Sequence, residues 1–169
     1  MAQPFASRLG TVLGAALLGG ATGLRSQMGL AVVERGSAPA TLPAPLRRSS
    51  VKRAMLAAAG GELVADKLPF APPRTAPPSL VARICCGAAA GALSASTVRS
   101  PAVVPAVVGG ASAAGATFAG LSGRMALSRR IPPLLAAIVE DGIAFAVASL
   151  GFQMMRSVNR SGAEGAAAP

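Results

Sequence analysis

Two adjacent carboxylates, Glu140 and Asp141, stand inside the apolar stretch 134–150, "LLAAIVEDGIAFAVASL". On a helix, neighbouring residues point about 100° apart, so the two acids cannot face the same way. A charged side chain at the centre of a membrane helix costs about 2.5–3.5 kcal/mol on insertion scales. Acids retained at that cost carry protons, bind cations or pair with basic side chains.

Three arginines lie within or beside other apolar stretches of the chain and could neutralise these acids: Arg25, Arg83 and Arg124. A guanidinium pairs with a carboxylate through two parallel hydrogen bonds, and an arginine in a polar path can instead bind an anion. We therefore expect Glu140 or Asp141 to face the protein interior and to meet one of the three arginines.

A second acidic pair, Glu62 and Asp66, is spaced four residues apart, which places both on one helix face. An alternative interpretation puts Glu62, Asp66 and Lys67 at the water interface, or treats all the charges as ion pairs that fix helix register. The candidate residues for a polar pathway or binding site are Arg25, Glu62, Asp66, Arg83, Arg124, Glu140 and Asp141.

The residue inventory indicates no catalytic residue, no metal site and no cofactor. The chain has no His, and its two cysteines, Cys85 and Cys86, are adjacent, where disulfides are rare. The glycine-rich "GGATGLRS" lacks the Lys-Ser/Thr of a phosphate-binding loop. The net charge of +10 lies mainly beside apolar segments, and without aromatic platforms for bases we expect no nucleic-acid binding.

The composition predicts an all-α transmembrane helical bundle. Apolar residues make up 52% of the chain but aromatics only 3%, so Ala, Gly, Val and Leu must supply the packing. Small residues let helix backbones approach closely, as they do in membranes. A soluble Ala-rich helical domain is the alternative. The predicted partner is the lipid bilayer, and a homo-oligomer is open.

Five hydrophobic segments are separated by turn-forming or basic stretches in a single integral membrane domain, residues 1–156. The second segment is short, so that it could be re-entrant or interfacial, and a tail at 157–169 is expected to be disordered. The five segments are 9–33, 54–68, 80–98, 101–123 and 131–155.

An internal repeat is suggested by "GLRSQMGL" (23–30), which aligns without gaps on "GLSGRMAL" (120–127). Downstream, "LAAAGGE" (56–62) aligns on "LAAIVED" (135–141), so that Glu62 corresponds to Asp141. Chance matches are easy in a chain so rich in Ala and Gly. With five crossings, the matched helices would run in opposite directions, an inverted repeat of the kind found in transporters. The basic loops would then place the N-terminus outside the cytoplasm.

Several phrases resemble a family of small bacterial membrane proteins catalogued as domain of unknown function 4126. They are "GATGLRSQMGLAVV", "GELVADKLP", "PPRTAPPSLVARICCGAAAGA" and "IPPLLAAIVEDGIAFAVA", and they span roughly residues 8–155. The resemblance implies a multi-pass protein of the bacterial cytoplasmic (inner) membrane and implies no activity.

Two functions are consistent with these residues. The charges favour a transporter or channel that moves a small solute or ion along a charged intramembrane path. The alternative is a membrane scaffold or accessory subunit that transports nothing, in which the charges only lock helices together.

Overall fold

The computed structural model describes residues 5–37, 48, 50, 53, 57 and 75–167. Over these residues the fold is all-helical, without strands, as the composition predicts. The acids Glu62 and Asp66 and most of segment 54–68 lie outside the described residues. The helices are α1 (Phe5–Leu24), α2 (Met28–Gly36), α3 (Pro77–Thr97), α4 (Val103–Leu127) and α5 (Pro133–Ala167).

Helix α1 is the centre of the bundle, and α3, α4 and α5 all pack extensively against it. Helices α4 and α5 are joined by a short connection but make few contacts with each other. A bundle arranged around one helix in this way leaves an open cleft between α4 and α5, with α1 at its base.

Glycines set the distances between the central helices. An added Cβ on Gly19 of α1 would lie 2.6 Å from the Cα of Gly109 on α4. On α3, a Cβ on Gly87 would lie 2.6 Å from the Cβ of Ala113. These positions therefore exclude any larger side chain, and the bundle uses the close backbone packing that small residues allow in membranes.

The first hydrophobic segment, expected at 9–33, is divided into two helices. Three consecutive polar residues, Arg25, Ser26 and Gln27, interrupt it between α1 and α2. Helix α2 then turns back along α1, since a Cβ on Gly29 would lie 2.5 Å from the carbonyl oxygen of Leu18. Only glycine permits this approach, and the nine residues of α2, about 14 Å long, are too few to cross a bilayer.

The contacts also fix the helix directions and correct the expected inverted repeat. Gly19 lies at Gly109 and Gly23 at Ala113, so residue numbers rise together and α1 is parallel to α4. The prediction that these two matched helices run in opposite directions is therefore wrong. The expectation counts three full crossings between the two matched helices, whereas α3 is antiparallel to both, because Gly87 lies at Ala113 and Gly91 at Pro105 of α4.

Three of the helices are long and apolar enough to span a membrane among the residues described: Pro77–Thr97, Val103–Leu127 and Pro133–Arg160. Large apolar side chains also cover the outside of the bundle, including Val103, Val107, Ile138 and Phe145, each more than half exposed. A protein surface of this composition is suited to lipid and not to water. These features are those of a membrane protein.

The disordered tail expected at 157–169 stays a prediction. Among the described residues, helix α5 continues to Ala167. The residues after Arg156 include Ala, Glu and Arg, which favour helices, and the last proline of the chain is Pro169.

Candidate charged site at the interruption of the first helix

The guanidinium of Arg25 pairs with the carboxylate of Asp141, Nε donating to Oδ1. Arg25 directly follows the last residue of α1, and Asp141 lies eight residues inside α5, about 12 Å from its first residue. The arginine side chain is 11% exposed and the aspartate 38%. The pair therefore joins the interruption of the first helix to the last helix and keeps one accessible edge.

The second acid, Glu140, faces a different arginine. Its Oε2 lies 3.6 Å from Nη1 of Arg124, near the C-terminal end of α4, and its side chain is only 9% exposed. Gly120 of α4 lies beside it, since a Cβ there would be 3.8 Å from Oε1 of Glu140. The two adjacent acids thus point to separate arginines on separate helices, as their 100° offset requires.

Arg83 of α3 is 2% exposed and holds the end of α1. Its Nη1 donates hydrogen bonds to the carbonyl oxygens of Gly23 at 2.8 Å and Leu24 at 3.2 Å. The last carbonyls of a helix have no partner within the helix and carry partial negative charge, which a buried cation stabilises.

Thr117 of α4 reaches the same helix end from another side. Its hydroxyl donates to the carbonyl oxygen of Ala113 at 2.8 Å and lies 3.2 Å from that of Gly23. The C-terminal carbonyls of α1 are therefore stabilised from two neighbouring helices, which explains how this helix can end inside the bundle.

Two helix ends of opposite polarity meet at this point. The C-terminal end of α1 has partial negative charge, and the first turn of α2, which begins at Met28, has partial positive charge. The chain between them holds Arg25 next to Asp141. Two such helix ends beside charged side chains can attract ions of either sign.

A cleft of about 930 Å³ lies between α4 and α5. Gly20 and Leu24 of α1 form its base, and Val139, Ile143 and Val147 line it along α5. Its charged lining residues are Glu140, Arg124, Arg129 and Arg130. The cleft is not lined by Arg25, Arg83 or Asp141. The charged residues therefore form two groups, one in the cleft that includes Glu140 and one outside it that includes Asp141.

Of the seven residues predicted from the sequence, the structure brings five together around the end of α1 and the facing turn of α5. Each acid of the "VED" sequence meets an arginine, as the sequence predicts. Glu62 and Asp66 lie outside the described residues. That the five form a pathway or a binding site stays a prediction.

The sequence analysis missed Thr117 and the cleft-lining pair Arg129–Arg130. Thr117 is a polar residue in a segment that has no charge from 101 to 123, which could have marked it as a side chain with an internal partner. The two arginines stand beside an apolar segment, a position that by itself predicts only a membrane flank. Their relation to the cleft depends on how α4 and α5 diverge, which no local pattern reports.

No protein-family model, no curated protein and no solved structure matches the chain. What the site can do therefore has to be inferred from its own chemistry. It offers two ion pairs with partly accessible members and a cleft whose charged groups lie beside apolar walls.

Proposed function

We propose that this protein is a multi-pass protein of the bacterial cytoplasmic membrane that moves a small solute or ion through a charged path at the interruption of its first helix. The observation that carries the proposal is the Arg25–Asp141 pair, which lies at that interruption inside a bundle of apolar helices. The three long apolar helices support its location in a membrane.

The partial exposure of the ion pairs favours transport over a purely structural role. Asp141 is 38% exposed and Arg124 is 32% exposed, so that solvent or solute can reach one member of each pair. Arg83, in contrast, is 2% exposed and is bonded to backbone carbonyls. A proton or cation on Asp141 would release Arg25 to bind an anion, and its departure would restore the pair.

The test is flux into liposomes reconstituted with the full chain. The probes are protons, followed with a trapped pH-sensitive dye, and then sodium, potassium and chloride gradients. We expect the wild type to dissipate at least one gradient, and Asp141→Asn and Arg25→Gln to slow it by at least tenfold, equivalent to about 1.4 kcal/mol.

Arg160→Gln is the matched control, because Arg160 is exposed near the opposite end of α5. This variant should keep wild-type flux. If wild-type liposomes behave as empty ones with all four probes, or if both site variants transport normally, the proposal is wrong.

A scaffold without transport activity is the second candidate, favoured by the buried Arg83 bonds and the close glycine packing. Its signature is a double-mutant cycle for Arg25→Gln and Asp141→Asn on the free energy of unfolding in detergent micelles. A coupling of more than about 1 kcal/mol, in a protein without flux, would identify the pair as structural.

A further inference from the structure

The cleft between α4 and α5 has a basic end and an apolar part, as a binding site for an amphiphilic molecule would have. Arg129 and Arg130 lie at the end formed by the α4–α5 connection. Towards the other end, the lining is apolar, with Ile143 and Val147 on α5 and Gly20 on α1. From Ala136 to Val147 the lining of the cleft extends for roughly 16 Å along the helix, with the Glu140–Arg124 pair between its ends. The end at Arg129 and Arg130 thus suits an anion, and the apolar part that includes Ile143 and Val147 suits a hydrocarbon chain.

The charged residues that line the cleft are mostly basic. Three arginines and one glutamate line it, a net charge of +2, and the glutamate already faces Arg124. An anionic group seated at Arg129 and Arg130 would complete the charge balance. Guanidinium groups bind phosphate through paired hydrogen bonds, and basic pockets between membrane helices bind lipid headgroups.

The occupant would enter sideways, from the bilayer. Ile143 is 51% exposed and Val139 is 44% exposed, and both line the cleft on α5. An open cleft with exposed apolar walls on helices that are long enough to span a membrane meets acyl chains before it meets water. Its volume of about 930 Å³ lies at the upper end for sites that bind one organic ligand.

We propose that this cleft binds one anionic phospholipid, with its phosphate at Arg129 and Arg130 and an acyl chain between α4 and α5. A second copy of this chain is the competing occupant. It fits less well, because the whole sequence contains only six acidic residues to meet the arginines, and two of them already pair within the bundle. The lipid site does not require transport, so it stands or falls separately from the proposed function.

The first experiment compares ligands on the purified full-length protein in detergent, by native mass spectrometry and lipid titration. The probes are a phosphatidylglycerol, a phosphatidylcholine with the same acyl chains, and inorganic phosphate. We expect one phosphatidylglycerol to be retained, the phosphatidylcholine to bind at least tenfold more weakly, and millimolar phosphate not to displace the lipid. Equal binding of the two lipids, or displacement by phosphate, would overturn the proposal.

The second experiment removes the two halves of the site separately. Arg129→Gln with Arg130→Gln should weaken phosphatidylglycerol binding about 30-fold, the sum expected for two basic contacts to an anionic headgroup. The matched control is Arg156→Gln with Arg160→Gln, which removes two exposed arginines from the far part of α5 and should leave binding unchanged.

Gly123→Phe tests the acyl-chain half. Gly123 lines the cleft, and a Cβ there meets nothing within 4 Å, so a larger side chain can start from this position and occupy space in the cleft. Gly115→Phe is the control, since Gly115 is equally open but does not line the cleft. We expect only Gly123→Phe to abolish lipid retention. Unchanged retention, or conversion of a dimer to a monomer by Gly123→Phe alone, would refute the lipid site.

Discussion

Each charged side chain near the end of α1 has a partner suited to its chemistry. Asp141 pairs with Arg25, Glu140 faces Arg124, and Arg83 donates to backbone carbonyls. The adjacent acids are stable in an apolar helix because each reaches a different neighbouring helix. The cost of burying a charge is thereby offset at both positions.

At the scale of single residues, Arg83→Met should destabilise the bundle by about 2–3 kcal/mol. The substitution leaves the carbonyls of Gly23 and Leu24 without their charged donor, and hydrogen bonds to charged groups contribute about 1.5–3 kcal/mol. The measurement is the free energy of unfolding in mixed micelles. Arg8→Met, the same change at an exposed site, should alter stability by less than about 0.5 kcal/mol. Equal effects of the two variants would contradict the role of Arg83 in ending α1.

At the scale of helices, glycine determines which backbones come close and where a helix can turn back. Gly109 of α4 faces both Gly19 of α1 and Gly87 of α3, so that three helices meet at one level. Gly29 allows α2 to return along α1. The site depends on the first feature, because it brings α1 close to the helices that carry Arg83 and Thr117.

Two glycines of α4 should respond in opposite directions to the same substitution. Gly109→Ala places a methyl group against the carbonyl oxygen of Gly87 and should cost about 1–3 kcal/mol. Gly115→Ala meets nothing within 4 Å and should stabilise the helix by up to about 1 kcal/mol. Thermal unfolding in detergent measures both. If Gly109→Ala is as stable as Gly115→Ala, the close packing of α1, α3 and α4 is not as described.

At the scale of the whole molecule, the parallel α1 and α4 change the distribution of positive charge between the two ends. The N-terminal part of α1 lies near the C-terminal part of α5, since a Cβ on Gly10 would lie 2.6 Å from Val158. Arg8 therefore shares an end with Arg99, Arg156 and Arg160, and not with Arg129 and Arg130 as the five-crossing topology requires. Four arginines thus lie at one end of these helices and three, Arg124, Arg129 and Arg130, at the other, so these seven residues alone do not predict an orientation by the positive-inside rule.

Cysteine labelling tests whether α4 crosses the membrane. In a background with Cys85→Ala and Cys86→Ala, Ser100→Cys and Ser128→Cys place single thiols at the two ends of α4. Sealed vesicles treated with a membrane-impermeant maleimide should label one of these positions, and the other only after lysis. The position labelled first also gives the orientation. Labelling of both from the same side would show that α4 does not span the bilayer.

The sequence by itself determined that the fold is helical and predicted that a buried acid of the pair Glu140 and Asp141 meets an arginine, without saying which one. Both follow from local chemistry: apolar, small-residue segments form helices that pack closely, and buried carboxylates must be neutralised. The polar residues Arg25–Gln27 are visible in the sequence, but polar residues alone do not break a helix, so the end of α1 could not be predicted from them.

Only the tertiary structure decided which arginine meets which acid, that Arg83 holds a helix end, and that α1 and α4 run parallel. Each of these depends on contacts between residues far apart in the chain, such as Gly19 with Gly109 and Arg25 with Asp141. The cleft also depends on contacts between residues far apart in the chain. It exists because α4 and α5 both pack on α1 and barely touch each other, and the relative positions of three helices are not encoded in the periodicity of any one of them.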